Sequence, residues 1–312
     1  MAHGTHDFEH DARNEHILIS VNGELVPRQR AVVSVFDAGF VLGDGVWEGL
    51  RVRAGHPVFL NRHLDRLFEG AKAIMLDIGR SRRELTEAIY STLRANDMTD
   101  GVHVRLMVTR GVKATPYQDP RVTVGPATVV MIAEHKEPLP ATVTEGITLF
   151  TTYVRRAAPD TLDPKLNTHS KLNDITACIQ AYAAGADEAL MLDPHGFVAT
   201  CNSTNFFVVK GTEDSPEVLT SEAGYCLAGI TRANVLEICR ANGVPARETR
   251  FSLTDVYSAR EAFVTGTFAG VVPVRSVDGR TIGERRRGPV VERLQLLYRT
   301  LVDADVAARV AP

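Results

Sequence analysis

The stretch from Tyr153 to Gly185 carries side chains that could do chemistry at close spacing. A polar turn within it contains Asn167, His169 and Lys171 and leads into an amphipathic helix. A lysine amine can bond covalently to a carbonyl carbon, and a histidine can carry a proton near neutral pH. The carboxamide of Asn167 does neither. We therefore take this segment as the candidate centre of an active site.

Two other segments could bind an anion. Gly229-Ile230-Thr231 opens a predicted helix that ends at Asn242-Gly243, and a helix start presents unpaired backbone N–H groups. The strand that ends in Thr265-Gly266-Thr267 offers hydroxyl and N–H donors, and Arg66 could supply a matching cation. An ordinary helix cap, a plain turn and an exposed arginine are the alternative interpretations.

The glycine-rich loop from Asp37 to Gly45 suggests a dinucleotide site at first sight. A strand is predicted to follow it, however, and the pyrophosphate of a dinucleotide needs a helix at that point. We reject a Rossmann site here.

The surrounding pattern predicts an α+β fold. In the first half, a hairpin near 17–26, strands at 31–36, 102–109 and 128–133 and helices starting near 61 and 82 are mixed rather than alternating. The second half is predicted to be mainly β, with helices near 171–184, 231–242 and 289–303. We expect a disordered tail at 1–16, a small domain at 17–134, a linker at 135–146 and a larger domain at 147–312.

Composition excludes several kinds of function. The chain has 312 residues, 23% charged residues and a net charge of −3, which argues against nucleic-acid and membrane-surface binding. Its four cysteines lack a paired spacing, and neither a signal peptide nor a membrane span is evident. We expect a cytoplasmic protein without a metal site, although the histidines of the tail could bind metal adventitiously.

Several short motifs, in order along the chain, resemble the fold-type IV pyridoxal-phosphate enzymes, which include branched-chain aminotransferases, D-amino acid transaminases, (R)-amine transaminases and aminodeoxychorismate lyases. The resemblance covers roughly residues 17 to 303. The motifs are Asp44-Gly45-Val46-Trp47-Glu48-Gly49-Leu50-Arg51, His63-Leu64-Asp65-Arg66-Leu67, Arg155-Arg156 with Pro159, Leu227-Ala228-Gly229-Ile230-Thr231-Arg232, Val264-Thr265-Gly266-Thr267 and Pro273-Val274.

The resemblance implies a two-domain fold, with a small N-terminal α/β domain and a larger, mainly β pseudo-barrel domain with helices. It also implies a homodimer and the cofactor pyridoxal 5'-phosphate. Trp47 would line the pocket, and Arg105 would either recognise a substrate carboxylate or form a structural ion pair. The residues implied to form the phosphate cup are Arg66, Ile230, Thr231, Thr267 and Phe268.

Two positions depart from the family pattern. Counting from Arg156 and from Gly185 places the family's Schiff-base lysine at Asn167. The glutamate that pairs with the pyridine nitrogen of the cofactor falls on Thr200, which can hydrogen-bond that nitrogen but cannot hold it protonated as a carboxylate does.

Lys171 is the leading substitute for the missing lysine. Four residues of extended chain would separate it from Asn167 by about 13 Å, but a tight turn reduces this to roughly 5–6 Å. Lys165 is the second choice, and His169 could move a proton without bonding to the cofactor. A solvated side chain is the alternative for each.

These observations predict a transaminase that moves an amino group between an amino acid or small amine and a 2-oxo acid, slowly if no lysine replaces the usual one. Arg105 favours a carboxylated substrate, whereas the loop Thr109 to Tyr117 lacks an R-x-H carboxylate trap and looks closer to the (R)-amine enzymes. An aminodeoxychorismate-lyase-like enzyme and a catalytically retired pyridoxal-phosphate-binding protein are the alternatives.

Overall fold

The computed structural model describes residues 4–284 and 287–310, and these divide into two compact units. The N-terminal unit comprises Glu9–Glu137, Leu166–Lys171 and Ala304–Pro312. The C-terminal unit comprises Met1–Phe8, Pro138–Lys165 and Leu172–Asp303. The first three residues of the predicted tail lie outside the described range.

The N-terminal unit is built on a six-stranded sheet in the order β2-β1-β6-β5-β3-β4, with antiparallel neighbours. Helices α2 and α3 pack their apolar residues, including Leu64, Leu67, Leu85 and Ile89, into its core. The elements are β1 (Leu18–Val21), β2 (Glu24–Pro27), α1 (Ala38–Leu42), β3 (Gly45–Arg53), β4 (His56–Pro57), α2 (Leu60–Ala73), α3 (Arg82–Ala95), β5 (Val102–Thr109) and β6 (Thr128–His135), with 3-10 turns at Ala12–Glu15, Arg28–Arg30 and Pro120–Val122.

The C-terminal unit contains a nine-stranded curled sheet in the order β12-β11-β10-β13-β14-β7-β8-β9, with β15 paired to β14. The elements are α4 (Pro140–Glu145), β7 (Ile147–Thr151), α5 (Pro159–Leu162), α6 (Leu172–Ala183), β8 (Glu188–Leu192), β9 (Val198–Cys201), β10 (Asn205–Gly211), β11 (Pro216–Thr220), α7 (Ile230–Ala241), β12 (Ala246–Glu248), α8 (Leu253–Tyr257), β13 (Glu261–Gly266), β14 (Gly270–Val277), β15 (Arg280–Thr281) and α9 (Pro289–Val310).

Strand β10 shows how this sheet is buried on both faces. Side chains alternate along a strand, so Phe206 and Val208 enter one core, and Phe207 and Val209 enter a second core together with residues of α7 and α9. This mixed architecture confirms the predicted α+β class, and the curled sheet agrees with the mainly β pseudo-barrel domain that the resemblance implied.

One predicted strand is wrong, and the tail differs from the prediction. Residues 31–36 have strand-forming side chains, but Val32 and Val35 are exposed and the segment runs without regular pairing to any described strand into α1, which Asp37 caps. Within the predicted disordered tail, Thr5 and Asn14 are buried, and Asn14 exchanges hydrogen bonds of 2.8 Å with the backbone of His135. The described part of the tail is anchored because Thr5 bonds to a carboxylate and Asn14 bonds to backbone groups.

Candidate active site

Residues 166–171 pair with the start of β3. Strand β4 pairs with Val52 and Arg53 at the other end of β3, which leaves the first residues of that edge available. Trp47 N–H donates to the carbonyl of Asn167 at 3.0 Å, and His169 N–H donates to the carbonyl of Gly45 at 3.0 Å. A Cβ at Gly45 would lie 2.8 Å from the His169 ring, so glycine is needed for this approach.

The amide of Asn167 has a defined orientation. Its Nδ2 donates to the Trp47 carbonyl at 2.7 Å, because a carbonyl requires a donor. Its Oδ1 is thereby turned to accept from Lys171 Nζ at 3.4 Å. The turn therefore brings the Lys171 amine back to buried Asn167, four residues earlier.

Two basic side chains of the N-terminal unit, those of Arg105 and Lys171, lie over the indole ring of Trp47. The guanidinium carbon of Arg105 lies 4.1 Å from the indole centroid, and Lys171 Nζ lies 5.6 Å from it. Trp47 itself is fixed by a 3.0 Å bond from Nε1 to the Thr168 carbonyl. Cations over an indole face are attracted by its ring quadrupole.

Arg105 extends from β5 and is largely buried. Burial lowers the pKa of its guanidinium, and the charge of Glu134 partly offsets this. In the described part of the chain, no carboxylate forms an ion pair with Arg105. The guanidinium is therefore suited to an anion from outside the chain.

His169 lies against the first residues of β3. Its Nε2 is 3.2 Å from the carbonyl of Val46, and burial lowers the pKa of the imidazole. It is therefore neutral near neutral pH. Lys165, the second candidate, is exposed and belongs to the C-terminal unit.

Arg66 is held by a buried acid. Its Nε and Nη2 donate to the two oxygens of Glu48 at 2.7 Å each, and His63 Nδ1 lies 2.6 Å from Glu48 Oε2. Burial alone would raise the pKa of Glu48, but Arg66 and His63 outweigh it and lower that pKa. The sequence analysis assigned no role to Glu48 or His63. The signal available for His63 was its position three residues before Arg66 on α2, which places these two side chains on one face of the helix.

In the C-terminal unit, the start of α7 has the features of an anion site. Gly229 precedes Ile230 and Thr231, and no side chain of the described residues caps the helix. A Cβ at Gly229 would lie 2.0 Å from Asn205 Oδ1, so the chain here needs glycine. Thr231 Oγ1 lies 3.5 Å from the hydroxyl of Tyr298.

The second half of the predicted cup is the turn between β13 and β14, which contains Thr267 and Phe268. Two residues before Thr267, the hydroxyl of Thr265 is buried without a hydrogen-bond partner in the described structure. Hydroxyl groups in a glycine-flanked turn suit an oxyanion.

Thr200 is buried in β9, and its hydroxyl donates to the Thr204 carbonyl at 2.8 Å. Since a hydroxyl has one hydrogen, Thr200 Oγ1 is left as an acceptor toward any further group. A ring nitrogen that forms a hydrogen bond with Thr200 Oγ1 must therefore carry the hydrogen itself.

A model of the family described as amino-transferase class IV matches residues 45–277. The chain belongs to the class IV aminotransferases. This membership confirms the family resemblance seen in the sequence.

This class IV aminotransferase is 39% identical over 284 residues to a putative branched-chain-amino-acid aminotransferase of Methanocaldococcus jannaschii, covering 91% of the chain and 96% of that relative. It is 43% identical over 292 residues to branched-chain-amino-acid aminotransferase-like protein 2 of Arabidopsis thaliana. That match covers 94% of the chain but only 51% of the relative, so the chain spans about half the length of the Arabidopsis protein.

The crystal structure of the Escherichia coli branched-chain amino acid aminotransferase superposes with a TM-score of 0.84 and 29% identity. The match covers 92% of the chain and 95% of that structure. The chain therefore has the fold-type IV architecture.

Class IV aminotransferases carry pyridoxal 5'-phosphate. The uncapped start of α7 and the partnerless Thr265 hydroxyl, both among the described residues, fit the phosphate of this cofactor. The carboxamide of Asn167 has no nucleophilic amine and could not attach this cofactor covalently. Lys171 provides an amine within 3.4 Å of that carboxamide.

Proposed function

We propose that this protein is a pyridoxal-phosphate-dependent transaminase in which Asn167 occupies the position of the family's usual lysine and Lys171 takes over the role of that lysine. The observation that carries the proposal is the 3.4 Å contact from Lys171 Nζ to Asn167 Oδ1. Asn167 positions the amine of Lys171, because its Nδ2 is held by the Trp47 carbonyl and its Oδ1 therefore faces Lys171 Nζ.

When bound, pyridoxal phosphate supplies an electron sink for cleavage of the bond to hydrogen at the amino-bearing carbon. Lys171 would accept that proton at Nζ and return it, and it would attach the cofactor between turnovers. Trp47 would form a wall that excludes water. The residues of the C-terminal unit proposed to hold the phosphate are Ile230, Thr231, Thr267 and Phe268. Arg66, which Glu48 orients within the N-terminal unit, is the cation that the family resemblance implies for the phosphate.

The proposed substrates are an amino acid or small amine as donor and a 2-oxo acid as acceptor. Arg105 supports a carboxylated substrate, because its guanidinium lies over Trp47 and has no carboxylate partner in the described chain. Bidentate binding to a carboxylate suits the planar geometry of guanidinium.

We infer a homodimer. Helix α6 buries Ala177 and Ala181 but exposes four apolar side chains at helical spacing: Leu172, Ile175, Ile179 and Tyr182. An exposed apolar face of this kind suits burial against another chain, and twofold contacts between identical chains are the commonest kind. Light scattering should give twice the mass of one chain, and a monomer would contradict this.

A cytoplasmic setting is also proposed. All four cysteines are free, and Cys201, Cys226 and Cys239 are buried. Free buried thiols are typical of reducing compartments. Fractionation of the source cells would test this directly.

A catalytically retired pyridoxal-phosphate-binding protein is the second candidate. It is favoured by the chemistry of Asn167, which has no amine, and of Thr200, which has no carboxylate. It predicts cofactor binding without amine transfer.

The test replaces Lys171 by Met and, as a matched control, the exposed Lys165 by Met. We expect Lys171→Met to lower the transamination rate by about 10²- to 10⁴-fold, the usual effect of losing a general acid–base group. Lys165→Met should leave it unchanged. Equal rates in wild type and Lys171→Met would refute the role of Lys171, and cofactor binding without any transfer in the wild type would favour the retired protein.

A further inference from the structure

The first described residues form an arm that belongs to the C-terminal unit. A turn closes from Gly4 to Asp7, with Asp7 N–H donating to the Gly4 carbonyl at 3.2 Å and Gly4 N–H donating to Asp7 Oδ2 at 2.9 Å. A Cβ at Gly4 would be 3.3 Å from the carbonyl oxygen of Asp187, so the arm runs close to the start of β8. This arm precedes the part of the chain that the family model matches.

Thr5 anchors the arm on Glu188. Its N–H donates to Glu188 Oε1 at 3.2 Å, and its hydroxyl donates to the same oxygen. Thr5 is 2% exposed and Glu188 is 3% exposed. Burying a carboxylate costs free energy unless hydrogen-bond donors surround it. The arm supplies two such donors, the N–H and the hydroxyl of Thr5.

The other carboxylate oxygen of Glu188 accepts a hydrogen bond from the turn between β9 and β10. Thr204 Oγ1 donates to Glu188 Oε2 at 2.9 Å, and the carbonyl of Thr204 accepts from the hydroxyl of Thr200 at 2.8 Å. Burial raises the pKa of Glu188, while the bonds from Thr5 and Thr204 oppose that rise. One buried acid thus joins the arm to the turn that orients Thr200.

His6 connects the arm to the other proposed cofactor segment. Its imidazole stacks on the ring of Phe268, with centroids 5.8 Å apart and planes at 18°. Its Nδ1 lies 3.1 Å from Thr5 Oγ1. Since Thr5 gives its only hydroxyl hydrogen to Glu188, its oxygen accepts from His6, and the imidazole is held with a hydrogen on Nδ1.

We propose that Thr5 and His6 are positioning residues for pyridoxal phosphate: Thr5 fixes the Thr200–Thr204 turn through Glu188, and His6 fixes Phe268 in its turn. This inference rests on the proposed function, because that function assigns Thr200 and Phe268 to the cofactor. It adds a segment outside the matched family region to the site.

The test uses the full chain with four substitutions. Thr5→Val keeps the shape and removes the hydroxyl, Thr5→Ser restores a hydroxyl, and His6→Ala removes the stacked ring. His10→Ala is the control, because His10 is exposed and lies in the N-terminal unit. Hydrogen exchange of the cofactor-free proteins is measured over 200–206 and 264–270, and pyridoxal phosphate affinity is measured by equilibrium dialysis.

We expect Thr5→Val and His6→Ala to raise the Kd by about three- to tenfold, the effect of losing one modest contact. Exchange should quicken over 200–206 in Thr5→Val and over 264–270 in both variants. Thr5→Ser and His10→Ala should behave like the wild type.

A lowered Tm with unchanged Kd and unchanged exchange in both turns would overturn the proposal, since the arm would then only stabilise the fold. A wild-type protein that binds no pyridoxal phosphate would overturn the proposed function instead. In that case the exchange rates still decide whether the arm holds the two turns.

Discussion

At the scale of residues, the cluster of Glu48, His63 and Arg66 makes the N-terminal unit sensitive to acid. Burial lowers the pKa of His63 more than its bond to Glu48 raises it. The folded chain therefore keeps His63 neutral at a pH where the unfolded chain, with a pKa of about 6.5, already binds a proton. Stability that is fully present above about pH 6.5 is lost as the pH falls below that value.

The expected result is a loss of at most about 1.4 kcal/mol of unfolding free energy per pH unit below pH 6.5 from this histidine. His63→Gln should reduce the slope, because glutamine can still donate to Glu48 but does not titrate. The measurement is denaturant unfolding followed by fluorescence of Trp47, the chain's single tryptophan, which lies in the same unit. His10→Gln, at an exposed site, is the control. Identical slopes for His63→Gln and the wild type would contradict this explanation.

Individual residues also show what the sequence could reveal. The amine of Lys171 could be placed near Asn167 from the turn character of Thr168 to Ser170, and the structure has that contact. The anchoring of Thr5 could not be foreseen, because its partner Glu188 lies 183 residues away and no local pattern connects them. Polar contacts over such separations depend on the folded chain.

At the scale of elements, the backbone at the start of α7 requires a residue without a side chain at position 229. Gly229 approaches Asn205 so closely that an added Cβ would lie 2.0 Å from Oδ1. The side chain of Asn205 is held there by its 3.1 Å bond to the Leu227 carbonyl. The start of α7 and the first residue of β10 therefore hold each other in place.

Gly229→Ala should destabilise the protein by about 1–3 kcal/mol, the usual cost of overpacking, and should weaken phosphate binding. The matched control is Gly224→Ala, since no atom of the described residues lies within 4 Å of a Cβ at that position. Thermal unfolding and dialysis with pyridoxal phosphate measure the two effects. Equal stability and affinity in the two variants would show that the close contact does not shape the site.

Elements were predictable where periodicity and burial agree. The β5 pattern alternates, and the strand is found at Val102–Thr109 with alternating burial. Residues 31–36 share the strand-forming composition but remain exposed, because composition alone does not provide a pairing partner. Helix α6 was predicted near 171–184 and is found at Leu172–Ala183, yet its small alanines face the core and its large apolar side chains face outward.

At the scale of the whole molecule, the two units divide the proposed functions between them. The N-terminal unit holds Trp47, Arg105, Asn167 and Lys171, and the C-terminal unit holds Thr200 and the start of α7. The segment 166–171 belongs to the first unit although the second unit flanks it on both sides in sequence. Periodicity could not show this, because six residues without regular structure carry no repeat. Among the described residues, no helix is long and apolar enough to cross a bilayer.

We propose that Lys171 takes the role of the family's usual lysine, the position of which we assign to Asn167. The direct measurement is borohydride reduction of the protein with pyridoxal phosphate, followed by peptide mapping of the phosphopyridoxyl group in the wild type, Lys171→Met and Lys165→Met. We predict the label on Lys171 in the wild type and in Lys165→Met, and its loss in Lys171→Met. A label on another lysine, or a transaminating wild-type protein without any label, would contradict the claim.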